Sequence, residues 1–246
     1  MTQSPEADVR KAAVLVLVLI LLATSAFSAD DPALKPAAGE KKLDDAAAQA
    51  FLNEVGARFK ENPSLKAKIV TEVEDLIGKR TEEGELLLDR PGRVLRKFTR
   101  PALKYWVLNG NYIQEYVPKT KKLYVKDFSK APRPLSLVQA AVTVDVKALG
   151  DLFHFHVFQA GDDHRLVLIR RAEKQSLPYK RIQARIAAKG LFFHEIEYFP
   201  ESGDAFVEKY LDIAAVPKPK DDDFNFEIAA DAHRKTDVVS NEMENK

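Results

Sequence analysis

The feature that most constrains this chain is a repeated alternation of apolar and polar residues, broken at short intervals by turn-forming residues. In the first such run, over residues 65–77, Leu65, Ala67 and Ile69 alternate with lysines. An alternation of period two places the apolar side chains on one face of a half-buried β-strand. Similar runs follow over residues 84–90, 93–99, 103–108, 112–117, 122–127, 153–159, 165–171, 179–188, 191–200 and 205–213. The sequence therefore predicts about eleven strands.

Short connections rich in glycine and proline separate these strands. Arg90-Pro91-Gly92 is one of them, and Asn109-Gly110 predicts a type I′ hairpin, because both central residues of that turn need a positive φ angle. Short connections make neighbouring strands antiparallel. Such a set of strands can hide its apolar face either by packing as a two-sheet sandwich or by curling into a half-open barrel around an apolar cavity.

Helical spacing of apolar residues is clearest over residues 44–60, with Asp44 or Asp45 as the N-cap. This amphipathic helix is expected to end just before Pro63, because the residue that precedes a proline avoids the helical region. A helix of this kind can cover the mouth of a curled sheet. The expected fold class is therefore mainly β with helices: a half-open antiparallel β-barrel of about eleven strands with a helical lid.

Three further segments have less regular patterns. Residues 135–142 fit either a strand or a helix, and residues 146–152 predict a short helix. Phe224 and Phe226 fit a short last strand.

The first residues have the pattern of an export signal. Arg10 and Lys11 precede an unbroken apolar run over residues 12–23, and Ala26 and Ser28 are small residues at the positions that signal peptidase requires. The alternative is a membrane anchor, but the run is shorter than the roughly 18 apolar residues that a span needs. We therefore expect cleavage near Ser28 and a periplasmic mature protein.

Four parts of the chain are expected: a signal peptide over residues 1–28, a disordered leader over 29–42, one folded domain over 43–229 and a flexible tail over 230–246. The sequence has no cysteine, which excludes lipid attachment at a cysteine, disulfides and thiolate chemistry. The formal net charge of +1 gives no reason to expect nucleic acid as a partner.

Catalytic motifs are not evident, so no enzyme activity and no cofactor are expected. No glycine-rich phosphate loop, dinucleotide fingerprint or nucleophile elbow occurs. His154 and His156 share one face of a predicted strand, but a metal site needs three or four ligands, and the neighbouring sequence offers no third. The acidic run over residues 221–223 is typical of a solvated loop rather than a calcium site.

Several motifs, taken in order, resemble the LolA family of periplasmic lipoprotein carriers. A Gly-x-Leu strand beginning at Gly84 runs into Arg90-Pro91, and an Asn-Gly turn follows at Asn109. The other matching segments are Phe98-Thr99-Arg100-Pro101, Tyr116-Val117-Pro118, Leu123-Tyr124-Val125, Lys189-Gly190-Leu191 and Gly203-Asp204. The resemblance covers roughly residues 44–229, and it departs from the family pattern at Val94, Arg96 and Gln114, where aromatic residues are usual.

The resemblance implies a monomeric, non-enzymatic carrier that shelters the acyl chains of lipoproteins or lipids. It would receive this cargo from an inner-membrane release complex and deliver it to an outer-membrane acceptor. The arginine of the Arg-Pro motif, here Arg90, would hold the helical lid closed over the empty cavity, since a guanidinium can donate to several carbonyl oxygens at a helix end.

The candidate lining of the cavity consists of apolar residues in the predicted strands. A slip of one residue would exchange the two faces of a strand, so the pattern does not decide which face points inward. The candidates are Leu86, Leu88, Val94, Phe98, Trp106, Leu123, Val125, Phe155 and Val157.

An interaction module that senses mislocalised lipoproteins is the alternative, because the same architecture occurs in such regulators. These regulators normally carry a second domain after the barrel. Only a short tail follows residue 229 here, which favours the carrier. An enzyme is the third possibility.

Overall fold

One large β-sheet organises the chain. The structure, a computed structural model, describes residues 32–75, 78–90, 92–130, 149–171 and 179–240. Within these ranges the sheet has thirteen strands, in the order β1-β8-β9-β10-β11-β12-β2-β3-β4-β5-β6-β7-β13. The strands are β1 (Lys41–Lys42), β2 (Ser64–Asp75), β3 (Gly78–Asp89), β4 (Arg93–Arg100), β5 (Lys104–Asn109), β6 (Tyr112–Val117), β7 (Lys122–Lys130), β8 (Phe153–Ala160), β9 (Asp163–Arg170), β10 (Tyr179–Ala187), β11 (Glu195–Pro200), β12 (Phe206–Ala215) and β13 (His233–Ser240).

Strands β2 to β12 correspond to the eleven runs of alternating residues. They pair antiparallel with one another, and the pair of β12 with β2 joins two meanders, β8 to β12 and β2 to β7. The terminal strand β13 pairs parallel with β7. The predicted fold class, a curled antiparallel sheet that does not close, with a helix, is confirmed. The boundaries differ by more than three residues at two places: β3 begins at residue 78 rather than 84, and β11 begins at residue 195 rather than 191.

One α-helix lies entirely within the described residues, α1 (Asp45–Glu61). The side chain of Asp44 accepts a hydrogen bond from the Ala47 N–H at 2.8 Å, so Asp44 is the N-cap. Leu52, Val55 and Phe59 are at most 2% exposed and pack against the sheet. The helix thus places its apolar stripe on one face of the sheet, as its spacing predicts.

That face is the inside of the curl. One continuous core joins α1 to Val157 in β8 and to Ile113 in β6, which lie in opposite halves of the strand order. Strands so far apart in the order can share one core with a single helix only if the sheet bends around it. We call this the inner face, and the opposite one the outer face.

Residues near the two ends of the described part of the chain cover parts of the outer face. Leu34 packs on Phe158 and Ile169 near the start of the strand order, and Phe226 packs on Tyr116 and its neighbours near the end. Neither terminal segment agrees with the expectation of disorder. The expected leader over 29–42 contains a 3-10 turn (Pro32–Leu34) and β1 within its described part, and the expected flexible tail over 230–246 contains β13.

The hairpin between β5 and β6 differs from the predicted type. Asn109 pairs with Tyr112, so the two-residue loop is Gly110-Asn111 rather than Asn109-Gly110. Gly110 has φ +57°, and Asn111 is not among the residues with positive φ. In a type II′ turn only the first central residue has a positive φ angle, and that residue is usually glycine. The turn is therefore of type II′, and the type I′ prediction is wrong.

The segments with less regular sequence patterns differ in how the structure bears on them. Phe224 ends a 3-10 turn (Asp221–Phe224) and is not in a strand. Residues 135–142 and the first three residues of the short helix over 146–152 lie outside the described part, and Leu149 and Gly150 are helical. The predicted signal peptide over 1–28 also lies outside it.

Candidate functional site

Arg90 connects the end of the helix to two other parts of the chain. It follows directly after β3 and is only 8% exposed. Its Nη1 atom donates to the carbonyl oxygens of Asn62 at 2.5 Å and Phe59 at 3.5 Å, and its Nη2 atom donates to that of Leu191 at 3.4 Å. Phe59 lies in the last turn of α1 and Asn62 is its C-cap, where carbonyl oxygens lack partners within the helix.

The guanidinium of Arg90 is also enclosed by aromatic rings. It lies 4.1 Å from the ring centroid of Phe59 and 5.7 Å from that of Phe192. Burial lowers the pKa of Arg90 to about 10, so the group remains charged at neutral pH and keeps its full set of donors. Arg90 therefore has the geometry expected of a residue that fastens the helix to the sheet.

A second arginine ties the same helix to a neighbouring loop. Arg58 donates from Nη1 to the carbonyl oxygen of Ala188, which follows β10. Phe59 also packs against Phe192 and Phe193, with centroid separations of 6.0 and 5.8 Å. The C-terminal half of α1 is thus held by hydrogen bonds and by aromatic packing.

Most of the predicted lining residues lie on the inner face. Leu86, Leu88, Val94, Phe98, Trp106 and Val157 are buried members of the core beneath α1, and Phe155 packs against that core while partly exposed. Leu123 and Val125 lie elsewhere: they form an outer-face cluster with Tyr116, covered by Phe226. Successive side chains of β7 point to opposite faces of the sheet. Leu123 and Val125 share the outer face, whereas Phe128 points to the inner face and joins the core there.

A buried polar cluster interrupts the apolar inner face. The Nη1 and Nη2 atoms of Arg96 donate to the two carboxylate oxygens of Glu208 at 2.6 and 3.2 Å. Tyr198 and Tyr210 donate their hydroxyls to Glu208 Oε2. Arg96 pairs in register with Leu86 and Trp106 of the inner core, which places the cluster inside the curl. We call these four residues the inner polar cluster.

Charge and burial dominate the electrostatics of this cluster. Burial is the largest single influence on Arg96 and works against its charged form, but Glu208, Tyr210 and Tyr198 together outweigh it and raise the arginine's pKa. Burial, together with the same carboxylate, raises the pKa values of Tyr198 and Tyr210. At neutral pH the cluster is therefore an ion pair with two neutral phenols and no net charge.

Part of the inner face is not fully covered. Ile182 pairs with Tyr198 across β10 and β11, and Ile196 pairs with Glu208 across β11 and β12, yet both isoleucines are only partly buried. The side chain of Arg96 keeps 21% of its surface exposed, whereas that of Glu208 keeps 4%. The interior is thus packed beneath the helix and more open beside the inner polar cluster.

Sequence reasoning singled out Arg96 as a departure but missed its partner. The signal was present in both strands. Arg96 lies between Val94 and Phe98, which are apolar residues of the inner face, and Glu208 lies between the aromatic residues Phe206 and Tyr210. Gln114, the other polar departure, pairs with Val107 and Val125 and lies on the outer face. It therefore does not contribute polarity to the interior.

Other candidate groups do not assemble into a reactive centre. His154 and His156 lie on the β8 face opposite to Phe155 and Val157, so they point away from the interior. In the described ranges no three His, Asp or Glu side chains are grouped as a metal site would require. Asp221 accepts from Arg93 Nη1 at 2.6 Å and serves to hold the C-terminal segment to β4. In the same ranges no helix is long and apolar enough to span a membrane.

No protein-family model and no curated protein matches the sequence. Among solved structures, an uncharacterised conserved protein from Thermus thermophilus aligns with a TM-score of 0.47 and 10% identity, over 78% of this chain and 99% of its own. A LolA superfamily protein from Nitrosomonas europaea aligns with a TM-score of 0.40 and 12% identity, over 73% and 97%. A domain named for outer membrane lipoprotein sorting, from Vibrio parahaemolyticus, gives 0.45 and 13%, over 74% and 97%. This chain is thus similar to proteins that include members of the LolA superfamily.

Proposed function

We propose that this protein is an exported carrier that shelters acyl chains of lipoproteins or lipids against its inner face and moves them toward the outer membrane. Its partners would be a donor complex at the inner membrane and an acceptor at the outer membrane. The proposal assigns no catalytic step to the protein, and Arg90 acts as the latch of the lid.

One observation carries the proposal: side chains of α1 pack on the apolar inner face, and Arg90 is bonded to the carbonyl oxygens at the end of that helix. Leu52, Val55 and Phe59 occupy the space beneath the sheet with at most 2% exposure. An acyl chain can replace these side chains if the helix swings away, because both are apolar and pack without directional bonds. The helix and the cargo therefore compete for the same surface.

This competition keeps the net affinity for acyl cargo moderate. Each buried methylene contributes about 0.8 kcal/mol, so a long acyl chain gains roughly 10 kcal/mol from full shelter. The burial lost by α1 on opening subtracts from that gain. A carrier of this design holds its cargo in water and still releases it to an acceptor.

The test is binding of a fluorescent fatty-acyl probe combined with amide hydrogen exchange. We expect the probe to bind and to speed exchange in α1, including the Ala48 N–H that donates to Asp44, since the helix must leave the sheet. Exchange in β13, the edge strand paired with β7, is the internal control and should not change. A protein that binds no acyl probe, or binds it with α1 fully protected, contradicts the proposal.

A further inference from the structure

The inner polar cluster is costly for a surface that only shelters hydrocarbon. Burying an ion pair removes two charges from water, and apolar residues of similar volume are often as stabilising or more so. Arg96 and Glu208 nevertheless face the interior that the proposed function assigns to acyl chains. The cluster is therefore a candidate for contact with the polar end of the cargo.

The hydrogen-bonding capacity of the cluster is unevenly used. Glu208 accepts two bonds from Arg96 and one from each of Tyr198 and Tyr210, so both of its oxygens are occupied. What remains is donor capacity. The Nε atom of Arg96 is buried and has no hydrogen-bond partner among the described residues.

Thr71 adds a second unused group at the same place. It pairs in register with Glu208, is only 8% exposed, and its hydroxyl has no partner within the described part of the chain. A buried hydroxyl without a partner is destabilising, because it has lost its hydrogen bonds to water and gained none in the protein. Two unsatisfied donors flank one saturated carboxylate, which is the arrangement of a site that lacks an acceptor.

The charge balance decides which acceptor fits. The charge of Arg96 is already compensated by Glu208, so an anionic group would have to lose its hydration without gaining a free cation. Uncharged ester or hydroxyl oxygens accept hydrogen bonds at no such cost. We infer that the inner polar cluster and Thr71 bind the ester and hydroxyl oxygens of an uncharged acylglycerol headgroup.

This inference rests on the proposed function and gives the cargo an orientation. Trp106 lies with its ring 5.2 Å from the Arg96 guanidinium, and the apolar core continues from it toward α1. The acyl chain would extend beneath the helix while the glycerol end stays beside the cluster. The unused donors are shielded in the closed form, so pairing them requires the opening that cargo entry brings about.

The test uses Trp106, the single tryptophan of the sequence, as the reporter. Monolauroylglycerol and laurate share an acyl chain but differ in headgroup charge at pH 8. We expect both to change Trp106 emission, with monolauroylglycerol binding about tenfold more tightly, the penalty of desolvating an unpaired carboxylate.

Two variants separate headgroup recognition from folding. Thr71→Val removes a hydroxyl without a protein partner, so its melting temperature should be equal or higher, while its affinity for monolauroylglycerol falls about three- to tenfold. Arg96→Lys keeps the charge beside Glu208 but loses Nε, and it should also reduce the preference over laurate. Thr81→Val, in the exposed part of β3, is the matched control and should bind as the wild type does.

The outcomes distinguish the two proposals. If neither compound binds, the carrier function fails and this inference fails with it. If both bind equally well and Thr71→Val changes neither affinity, the carrier function stands and the headgroup inference is wrong. Tighter binding of laurate would also overturn the inference, in favour of an anionic cargo.

Discussion

Arg90 and Arg96 are two guanidinium groups in the interior with different kinds of partner. Arg90 donates to backbone carbonyl oxygens at the end of α1 and lies against the ring of Phe59. Arg96 forms a two-pronged ion pair with Glu208. The first arrangement joins a helix to the sheet, and the second compensates a buried charge. Their substitutions should therefore have different consequences.

Replacing Arg90 with leucine should loosen the closed form. Charge-assisted hydrogen bonds contribute about 1.5–3 kcal/mol, so we expect a loss of that order in the free energy of unfolding. The same change should tighten binding of a fluorescent acyl probe up to about tenfold, because less closure has to be undone. Urea unfolding and probe titration measure the two effects.

Lys60→Leu is the matched control for this prediction, since Lys60 is exposed on the last turn of the same helix. Arg58 is unsuitable, because it is bonded to Ala188. Unchanged stability together with unchanged probe affinity in Arg90→Leu would mean that Arg90 does not fasten the lid.

The stability losses from removing Arg96 and from removing Glu208 should not add, because each single change leaves the partner's charge buried and unpaired. Arg96→Met leaves a buried carboxylate, and Glu208→Gln leaves a buried guanidinium, so each should lower the free energy of unfolding by about 3–5 kcal/mol. The double variant leaves no unpaired charge and should lose clearly less than the sum of the two. A double-mutant cycle by urea unfolding measures the coupling. Additive losses would show that the two groups do not depend on each other.

The sequence pattern groups residues by sheet face within one strand, but it does not predict which residues of distant strands meet. The inner positions of Leu86, Leu88 and Val94 follow from alternation in β3 and β4. The pair of Arg96 with Glu208 spans 112 positions of sequence and depends on three consecutive strand registers, β4 to β3, β3 to β2 and β2 to β12. Local periodicity carries no information about such registers.

At the level of elements, the two terminal strands illustrate a different limit of sequence reasoning. Strand β1 is Lys41–Lys42, and β13 begins His233-Arg234-Lys235, so neither has the apolar alternation that signals a strand. Both complete the sheet by main-chain pairing with its outermost meander strands, β8 and β7. Main-chain pairing depends little on side-chain type. In this way charged segments cover sheet edges that would otherwise stay open.

The N-terminal segment is held mainly by one buried ion pair. Arg165 donates to Glu40 at 2.6 Å, and the two side chains are 7% and 4% exposed. Arg165 also donates to the carbonyl oxygens of Ala33 and Lys35. The hydrogen bond from Arg165 lowers the pKa of Glu40.

The attachment of this segment should therefore depend on pH. A carboxyl whose pKa is lower in the folded state adds stability that is fully present above its unfolded pKa and is lost as pH falls through the folded value. We expect the Leu43 N–H, which donates to Val157, to lose exchange protection below about pH 4.

In Glu40→Gln that protection should already be weak at pH 7. Glu83→Gln, which breaks an exposed pair with Arg100 whose side chains are 46% and 75% exposed, should have almost no effect. Full protection of Leu43 in Glu40→Gln at pH 7 would show that β1 pairing alone holds the segment.

For the whole molecule, the expected export and the closed resting form belong to one proposed cycle of cargo transfer. The apolar run over residues 12–23 and the small residues Ala26 and Ser28 predict cleavage before Ala29. Export would place the chain between two membranes, where an apolar inner face has cargo to collect. N-terminal sequencing of the exported protein should begin at Ala29. Recovery of the protein with Met1 intact, embedded in membranes, would contradict this placement.

The most direct test of the central claim, that the inner face carries acyl chains in the cell, is native mass spectrometry of the protein purified from its own envelope without detergent. We predict a fraction of molecules with the added mass of an acylated lipoprotein or lipid. That fraction should be larger in Arg90→Leu, because we expect this variant to bind its cargo more tightly and to release it more slowly. Only the mass of the mature chain in both proteins would contradict the account.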